Sequence, residues 1–590
     1  MEELQKPDGV KRIIRNFIQN TIAKTNTEDK FEVVATSCGI GKTVEACNGM
    51  IKAYKYKQEK SLFVVERNKE GYKNEKIIND EVKAKLAVFV ESSNYEEYQT
   101  NLREIPILII THRRYLDSIE NSAMRNLLQK DRSILVIDEE IQYIKINRYK
   151  KNFFKEFAKL IPYELCDKYG KFIYPIMKYI DLEQQVIDFK NLSTNKSDRL
   201  YQELRMHLEK SIDKDYNKMN KKYLIAFKEN NDLNDASMGE KSYILEKLAE
   251  INNILSTKCY KENDVLYNAK VCDLWKLPKT NVILDANARF YNIYSNQEKY
   301  RIMKSYDIKS YEDWTLYWYE QNTSKSKKEK YLDFTEKVFE QIYKKENDEI
   351  LIITNKDECT ELREIYKVRG NISIDYWGNL NGSNDYSEYN LVYVISTPNI
   401  SEADYIMYYN HFRKEITNKT NLKVSKTNGT RKFANKDIEK FKVEYLTKVI
   451  YQGISRIGRN ESEKQKEIHL FTIDSQVVDK LRNQMRNIKY EEMEPLEVES
   501  IKTEWGEKAD KPKTRTAELA TCFKELMEYE ISQLSNSILD KKEISKKSIR
   551  ERLKMERVSE LTRLLKISEI VEYMKQEKIS KNNNNIIISK

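Results

Sequence analysis

A run of small and polar residues after a buried strand could bind the phosphates of a nucleotide. Val33 to Ala35 predict the strand, and the tight turn that enters a helix comprises Ser37, Cys38, Gly39, Ile40, Gly41, Lys42 and Thr43. Glycines let consecutive backbone N–H groups point at phosphate oxygens, and the helix N-terminus adds its dipole. Lys42 would place an ammonium on the β- and γ-phosphates, and Thr43 would offer a hydroxyl to Mg²⁺. Thr36 stands where the common pattern of such a loop has a glycine.

Two carboxylates close a second apolar strand, Ser133 to Glu140, further along the chain. Asp138 would hold Mg²⁺ through water, and Glu139 would polarise a water that attacks the terminal phosphate. Strands that end in two carboxylates are common. Their occurrence downstream of the phosphate-binding run is what predicts a shared ATP and Mg²⁺ site.

Two arginines, Arg456 and Arg459, follow Gln452 on a predicted helix more than four hundred residues from Lys42. Residues three apart lie on one helix face, so both guanidinium groups could enter the same site. Arg459 is predicted to contact the γ-phosphate as an arginine finger, with Arg456 beside it. An ordinary basic helix face is the alternative.

Strands rich in Ile, Leu and Val must position these groups. They alternate with helical patterns, which predicts a parallel sheet with its ligands at the carboxyl ends of the strands. Lys42, Arg67, Thr111 and Asp138 would then face one edge. A second α/β pattern begins with the strand Glu349 to Lys356 and ends with the strand Glu467 to Asp474.

The order of these blocks resembles the superfamily 2 helicases, over about residues 10 to 475. TSCGIGKT resembles motif I, VVER and ITHRR resemble motifs Ia and Ib, VIDEE motif II, LDANA motif III, GSNDYSEYNLVYVISTP motif V and QGISRIGR motif VI. The resemblance implies two tandem RecA-like domains with ATP in the cleft between them. It implies a catalytic role for Gln452 and an ATP contact by Asp385. The nucleic-acid contacts that it implies are Arg67, Thr111, His112, Thr354, Gly382 and Asn384.

The predicted fold is therefore α/β with additional helical parts. Residues 1–300 form the first RecA-like domain with a helical insertion at about 142–279, and residues 301–480 form the second. A linker over 481–514 precedes a helical C-terminal domain, 515–590, where Ser545 to Lys566 have the spacing of a helix-turn-helix. The last residues, KNNNNIIISK, are expected to be either a wing strand of that motif or a disordered end. Lys541 to Lys566 carry ten Lys or Arg and four Asp or Glu, which suits either phosphate contacts or a surface for a protein partner. The insertion is predicted to be an arch over a nucleic-acid channel, a scaffold or a partner surface.

Composition is typical of a folded chain of several domains. It has 590 residues with 40% hydrophobic and 34% charged side chains, and a net charge of +10 that is compatible with a polyanionic partner. The cysteines are odd in number and never spaced C-x-x-C, which argues for a reducing compartment and against a zinc ribbon or an iron–sulfur cluster. With no apolar run of membrane-spanning length, a cytoplasmic protein without a membrane partner is expected.

These observations predict an ATP-dependent nucleic-acid helicase or translocase of a mobile element or phage, acting on DNA rather than RNA in replication, recombination or repair. Two alternatives stay open. The chain could be the motor subunit of an anti-phage or restriction system. It could also be a DNA-binding replication or regulatory protein in which ATP hydrolysis is only a conformational switch.

Overall fold

The computed structural model divides the chain into two compact units, Met1–Glu499 and Ser500–Lys590. The described residues are 15–22, 29–141, 144–192, 195–211, 223–225, 227–228, 240–288, 292–303, 309–345, 347–366, 370–380, 385–412, 416–417, 419–427, 430–459, 464–499, 515–535, 540–553, 561, 564–565, 568–581 and 585–589.

The first sheet of the larger unit is parallel throughout. Its strands are β1 (Phe31–Val34), β2 (Lys60–Val65), β3 (Ala87–Phe89), β4 (Ile107–Thr111), β5 (Arg132–Asp138), β10 (Thr280–Leu284) and β11 (Tyr300–Met303). Their spatial order is β11-β1-β10-β5-β2-β4-β3. Apolar side chains cover both faces, as the Ile- and Val-rich strands predict. The carboxyl ends of β1 and β5 lie at the same edge because all the strands run in one direction.

Helices connect these strands and lie on the two faces of the sheet. The helix that follows β1 begins at Lys42 and ends at Lys57. The other helices of this domain are Asn68–Val82, Tyr95–Tyr98, His112–Glu120 and Ser122–Gln129, preceded by helical residues 15–22. Thr111 caps the helix His112–Glu120, because its side chain accepts a hydrogen bond from the backbone N–H of Arg114.

The insertion between β5 and β10 is mainly helical, as predicted, and it also contains an antiparallel sheet that was not predicted. Its strands β6 (Ile144–Lys150), β7 (Val186–Asp188), β8 (Lys258–Glu262) and β9 (Val265–Val271) form an antiparallel sheet of order β6-β9-β8-β7. Its helices are Lys151–Ala158, Tyr163–Leu165 (a 3₁₀ turn), Cys166–Tyr179, Phe189–Leu192, Asn195–Ser211 and Glu240–Leu255. It buries its own apolar core of aromatic and aliphatic side chains.

The second sheet is also parallel, with the order β14-β13-β15-β18-β12-β19. Its strands are β12 (Trp314–Tyr319), β13 (Ile350–Thr354), β14 (Ile372–Tyr376), β15 (Leu391–Val394), β18 (Lys466–Phe471) and β19 (Lys489–Met493), and a hairpin of β16 (Val424–Thr427) and β17 (Thr430–Phe433) stands apart. Its helices are Lys325–Lys328, Phe334–Tyr343, Lys356–Ile365, Glu402–Phe412, Lys436–Ile454 and Ser475–Gln484. The two tandem α/β domains predicted from the motifs are confirmed. The predicted linker, 481–514, overlaps β19, which pairs with β12.

The two α/β domains share buried contacts. Cys38 and Ala286 of the first domain belong to the same apolar cluster as Trp314 and Ile450 of the second. The insertion also reaches the second domain, because Tyr260 and Tyr267 pack in one cluster with residues of the helix Glu402–Phe412. Arg148 of the insertion forms an ion pair with Asp404 on that helix at 2.5 Å. The insertion therefore connects the two domains along a second path.

The smaller unit combines helices with a small sheet, and the strand Asn585–Ser589 forms where a wing strand was one of the two expectations for the last residues. Its helices are Arg515–Ser535, Lys546–Arg552 and Ser568–Gln576, and its strands β20 (Lys541–Ser545), β21 (Ile579–Lys581) and β22 (Asn585–Ser589) form an antiparallel sheet of order β20-β22-β21. The second helix of the expected helix-turn-helix lies mostly outside the described residues. Its described apolar residues, Leu561, Leu564 and Leu565, are buried in the apolar core of this unit. Within the described residues of the whole chain, none of the helices has the length and apolar character needed to cross a bilayer.

Candidate active site

The loop that the sequence predicts to bind phosphates, called the phosphate-binding loop below, occupies the turn between β1 and the helix Lys42–Lys57. Gly39 and Gly41 have φ of +77° and +82°, a left-handed conformation that side chains with a Cβ rarely adopt. The ammonium of Lys42 donates hydrogen bonds to the carbonyls of Thr36 (2.8 Å) and Ser37 (3.1 Å). The Lys42 charge is thus held inside the loop. Ile40 turns the other way and packs against the apolar core of the first domain.

The carboxylate at the end of β5 faces this loop. The hydroxyl of Thr43 donates a hydrogen bond to Oδ2 of Asp138 at 2.9 Å, which joins the two predicted Mg²⁺ ligands. Burial is the main reason why the pKa of Asp138 is raised to about 7; the neighbouring Glu139 and Glu70 contribute to the rise, while the Thr43 hydrogen bond and Lys42 oppose it. A cation placed beside Asp138 would relieve this cost.

The next residue, Glu139, is held in a strained backbone conformation. Its φ is +66°, which costs a residue with a Cβ about 1–2 kcal/mol. Its backbone N–H donates to the carbonyl of Leu284, and its carboxylate accepts a hydrogen bond from Gln452 at 3.4 Å. A guanidinium nitrogen of Arg456 lies 3.9 Å from the same carboxylate. The Glu139 side chain therefore contacts the second domain through Gln452 and Arg456.

Arg459, from the second domain, lies against the phosphate-binding loop of the first. A Cβ built at Gly39 would come within 3.6 Å of its Cγ, and its Nε donates to the carbonyl of Ser455 at 2.9 Å. Burial lowers the pKa of Arg459 to about 10, and the nearby Arg456 lowers it too. The guanidinium of Arg459 remains charged near neutral pH. Arg456 and Arg459 line one cleft with Lys42. The predicted position on a shared helix face is wrong, because the helix Lys436–Ile454 ends before them and both arginines lie in the turn that follows it.

This cleft between the two domains has a volume of about 450 Å³. Its walls are Cys38, Gly39, Gly41, Lys42, Thr43, Val44, Glu70, Lys73, Asn74, Ile77, Asp138, Glu139, Ser387, Arg456 and Arg459. The first domain supplies the loop and the carboxylates, and the second domain supplies the two arginines and Ser387. The cleft thus combines cations that could bind phosphates with carboxylates that could orient water.

Sequence reasoning missed one wall of the cleft, which the helix Asn68–Val82 supplies. Glu70, Lys73, Asn74 and Ile77 recur at three- and four-residue intervals, so they share one face of this helix. Burial raises the pKa of Glu70 to about 7, with Glu66 and Glu139 adding to the effect. The same-face spacing is visible in the sequence. No motif, however, distinguishes this face from an ordinary amphipathic face.

The residues present fit a divalent cation of the Mg²⁺ type. The hydroxyl of Thr43 and the carboxylate of Asp138 are hard oxygen donors, and Mg²⁺ in phosphate-transfer sites takes few protein ligands besides substrate phosphates and water. Consistently, the described part of the chain contains no cluster of three or more His, Cys, Asp or Glu that could form a complete cage.

Two of the predicted nucleic-acid contacts are buried inside the domains. His112 is 9% exposed, and its Nε2–H donates to the backbone carbonyl of Asp138 at 2.8 Å. Thr354 is fully buried at the end of β13, where its hydroxyl donates to Glu358. Neither side chain reaches a surface on which a nucleic acid could lie. The sequence pattern did not reveal this, because the ends of buried strands can face inward as well as outward.

Other residues predicted to contact ligands lie at the boundary of the two domains. The guanidinium of Arg67 donates to the carbonyls of Gly378 and Asn379, the latter at 2.8 Å. Asp385 forms an exposed ion pair with Lys69 at 2.7 Å and does not line the cleft, whereas Ser387 does. Thr111 is half-buried at its helix cap. Gly382 and Asn384 lie outside the described residues.

A second polar contact crosses the domain boundary behind Glu139. Glu140 accepts a hydrogen bond from Lys448 of the helix Lys436–Ile454, and both side chains are nearly buried. Burial raises the pKa of Asp285 to about 6, with Glu140 adding to this effect and Lys448 opposing it. Tyr294 donates to Asp285 at 2.9 Å. The segment after β5 therefore contacts the second domain through both Glu139 and Glu140.

The burial of His112 predicts a loss of stability in mild acid. Burial lowers its pKa from 6.5 to about 4, so the unfolded chain binds a proton first as the pH falls below 6.5. The neutral imidazole therefore stabilises the first domain above pH 6.5, and this contribution disappears between pH 6.5 and 4. Linkage gives a loss of about 2 kcal/mol at pH 5. The free energy of unfolding in urea, measured for the wild type and His112→Gln at pH 7.5 and pH 5, tests this loss. An equal pH dependence of the free energy of unfolding in both proteins would contradict the role of His112.

Comparison with known proteins gives distant structural similarity only. No family model and no curated protein matches this chain. A structure of apo XPD has a TM-score of 0.46 at 13% identity, covering 82% of this chain and 100% of its own. The structure of S. tokodaii Xpd4 has a TM-score of 0.45 at 12% identity, covering 81% of this chain and 99% of its own. S. cerevisiae Dbp5 bound to RNA and ADP BeF3 has a TM-score of 0.37 at 10% identity, covering 84% of this chain and 95% of its own. The residue assignments therefore rest on the geometry of this chain.

Proposed function

We propose that this chain is an ATPase that binds ATP between its two α/β domains and works as a nucleic-acid helicase or translocase. The observation that carries the proposal is the composition of one cleft. Lys42, Asp138 and Glu139 line it from the first domain, and Arg456 and Arg459 line it from the second. A site that requires both domains can link hydrolysis to a change in their arrangement.

Each group has a role in phosphoryl transfer. Lys42 exchanges its carbonyl partners for the β- and γ-phosphates of ATP, and the glycine-rich loop binds phosphate oxygens through backbone N–H groups. Thr43 and Asp138 would hold Mg²⁺, which neutralises phosphate charge when bound. Glu139 accepts a hydrogen bond from the attacking water and aligns it. Arg459, with Arg456 beside it, stabilises the charge that develops on the transferred phosphoryl group.

Coupling to movement follows from what Glu139 and Glu140 contact. Gln452, Arg456 and Lys448 all belong to the second domain, and each approaches one of these two carboxylates. A water or phosphate bound at Glu139 must compete with two of these contacts. Occupancy of the site therefore changes the contacts that hold the second domain against the first.

The proposed partner is nucleic acid, with DNA preferred over RNA. The net charge of +10 favours a polyanion, and binding through phosphates makes the affinity fall steeply with salt. Thr111 remains a candidate contact at the carboxyl edge of the first sheet. Arg67 is a candidate only in a conformation in which it leaves Gly378 and Asn379. The insertion and the smaller unit are the proposed surfaces for protein partners.

Two related roles use the same cleft. A motor subunit of an anti-phage or restriction system would keep nucleic-acid-stimulated ATPase activity and differ in its partners. A DNA-binding regulatory protein with an ATPase switch would recognise a sequence through residues 515–590. The expected origin in a mobile element has no support in the fold and is not part of the proposal.

ATP hydrolysis with and without nucleic acid tests the proposal. We expect single-stranded DNA, RNA or duplex to raise the rate of phosphate release at least about tenfold, because nucleic-acid binding would favour the closed form of the cleft. An ATPase that none of the three stimulates would contradict the motor function. Sequence-specific DNA binding that disappears when residues 515–590 are deleted, with an ATPase indifferent to DNA, would instead favour the switch.

A further inference from the structure

A lysine outside every motif lies beside the phosphate-binding loop. Lys309 belongs to the segment 304–313, which joins β11 of the first sheet to β12 of the second. A Cβ built at Gly39 would lie 3.8 Å from the Nζ of Lys309 and 3.6 Å from the Cγ of Arg459. Two cationic side chains therefore approach the same glycine of the loop. Arg459 comes from the turn that follows the helix Lys436–Ile454 of the second domain, and Lys309 comes from the residues that precede β12.

Aromatic rings hold the Lys309 ammonium in this position. Nζ lies 4.8 Å from the centre of the Tyr311 ring and 5.2 Å from that of Trp314, both within cation–π range. The Tyr311 and Tyr451 hydroxyls are hydrogen-bonded at 2.9 Å, and Tyr451 is on the helix Lys436–Ile454. Both rings belong to the apolar cluster that includes Cys38 of the loop. The position of Lys309 is thus fixed relative to the loop and to the helix that precedes Arg459.

The charge on Lys309 lacks an anionic partner in the described part of the chain. No described group accepts a hydrogen bond from its Nζ. The nearby carboxylate of Asp313 is bonded to Lys466 at 2.6 Å. Burial is the main reason why the pKa of Lys309 is lowered to about 8, and the adjacent Arg459 contributes. Lys309 is partly buried, and a phosphate oxygen arriving in the loop would give its ammonium an anionic acceptor in place of water.

We propose that Lys309 contacts the terminal phosphate of bound ATP, so that the residue at the start of the described stretch before β12 forms part of the nucleotide site. This inference rests on the proposed ATP site and adds a residue to it. Lys309 binds the same end of the nucleotide as Arg459, because both lie at Gly39. The contact would be lost when the γ-phosphate leaves. The connecting segment would then distinguish ATP from ADP directly, in addition to the contacts made by the two sheets.

Nucleotide binding by charge variants tests this inference at pH 7, where Lys309 is protonated. We expect Lys309→Gln to bind a non-hydrolysable ATP analogue about tenfold or more weakly, the usual effect of losing a charge-assisted hydrogen bond, while ADP affinity changes less than about threefold. Lys309→Arg keeps the charge and should retain most of the affinity for the analogue. The matched control is Lys325→Gln, an exposed lysine paired with Asp357, which should behave as the wild type.

Three results separate this inference from the proposed function. Unchanged affinity for the ATP analogue in Lys309→Gln would overturn the Lys309 contact. An equal loss for the analogue and for ADP would also overturn it, because a purely structural role affects both nucleotides alike. Lys42→Ala distinguishes the two proposals. If this variant binds ATP as the wild type does, the proposed ATP site is contradicted. If Lys42→Ala loses ATP binding while Lys309→Gln keeps it, the ATP site is supported and the Lys309 contact is contradicted. A separate titration with inorganic phosphate compares the wild type with Lys309→Gln. Weaker phosphate binding by Lys309→Gln would support the contact, because it would show that Lys309 binds the phosphate itself.

Discussion

Lys42→Ala is expected to lose ATP hydrolysis by at least about 10²–10³-fold, the effect of removing one preorganised charge-stabilising donor. The Lys42 ammonium is held by the Thr36 and Ser37 carbonyls at 2.8 and 3.1 Å, inside the loop that would receive the phosphates. It therefore needs little rearrangement to reach them. Alanine keeps the helix but removes the only charge that this loop itself contributes. Steady-state phosphate release at saturating ATP measures the loss.

The same helix offers a matched control for Lys42. Lys55 lies in its last turn with an exposed side chain, far along the helix from the loop. Lys55→Ala removes the same charge and should hydrolyse ATP at the wild-type rate. If Lys42→Ala is as active as Lys55→Ala, the loop does not bind the reacting phosphates.

Arg459→Ala is expected to reduce the rate of hydrolysis by about 10³–10⁵-fold, the range for arginine fingers in phosphoryl transfer, with a much smaller effect on nucleotide affinity. The side chain lies against Gly39 and is anchored by its own Nε to the Ser455 carbonyl. Its guanidinium remains charged at neutral pH although burial lowers its pKa to about 10. The transition state gains more from this charge than bound ATP does, so kcat falls further than affinity.

Kinetics and binding together test the role of Arg459. Nucleotide affinity is measured by titration and kcat by phosphate release, in Arg459→Ala and Arg459→Lys. Lysine keeps a charge without the planar fork and should recover only part of the rate. Arg482→Ala, on the neighbouring helix Ser475–Gln484 and outside the cleft, is the control. A loss of affinity as large as the loss of kcat would show that Arg459 holds ATP rather than its transition state.

The sequence identified those parts of the site that depend on local geometry. A glycine-rich turn after a buried strand and two carboxylates at a strand end have the spacing that parallel strands require, so Thr43 and Asp138 were brought together as predicted. Arg456 and Arg459 were expected in the site from their spacing after Gln452, but they reach it from the turn after the helix Lys436–Ile454 and not from a shared helix face. These patterns can be recognised from neighbouring residues in the sequence, without information on contacts between distant segments.

The parts that sequence reasoning missed depend on packing between distant segments. His112 follows a strand in the same way as Arg67, but only the folded domain turns its ring toward the carbonyl of Asp138. The antiparallel sheet of the insertion was hidden because its short strands alternate with much longer helices. Lys309 has no motif, and its place beside Gly39 arises only when the two domains come together.

The measurement that tests the central claim most directly is the affinity for labelled single-stranded DNA in each nucleotide state. Glu139→Gln should bind ATP without hydrolysing it, because the amide cannot accept the proton of the attacking water. In this variant we expect DNA affinity with ATP to differ from that with ADP by at least about tenfold, since linkage couples the two ligands reciprocally. Equal DNA affinity with ATP, with ADP and without nucleotide would contradict a cleft that couples ATP to movement on nucleic acid.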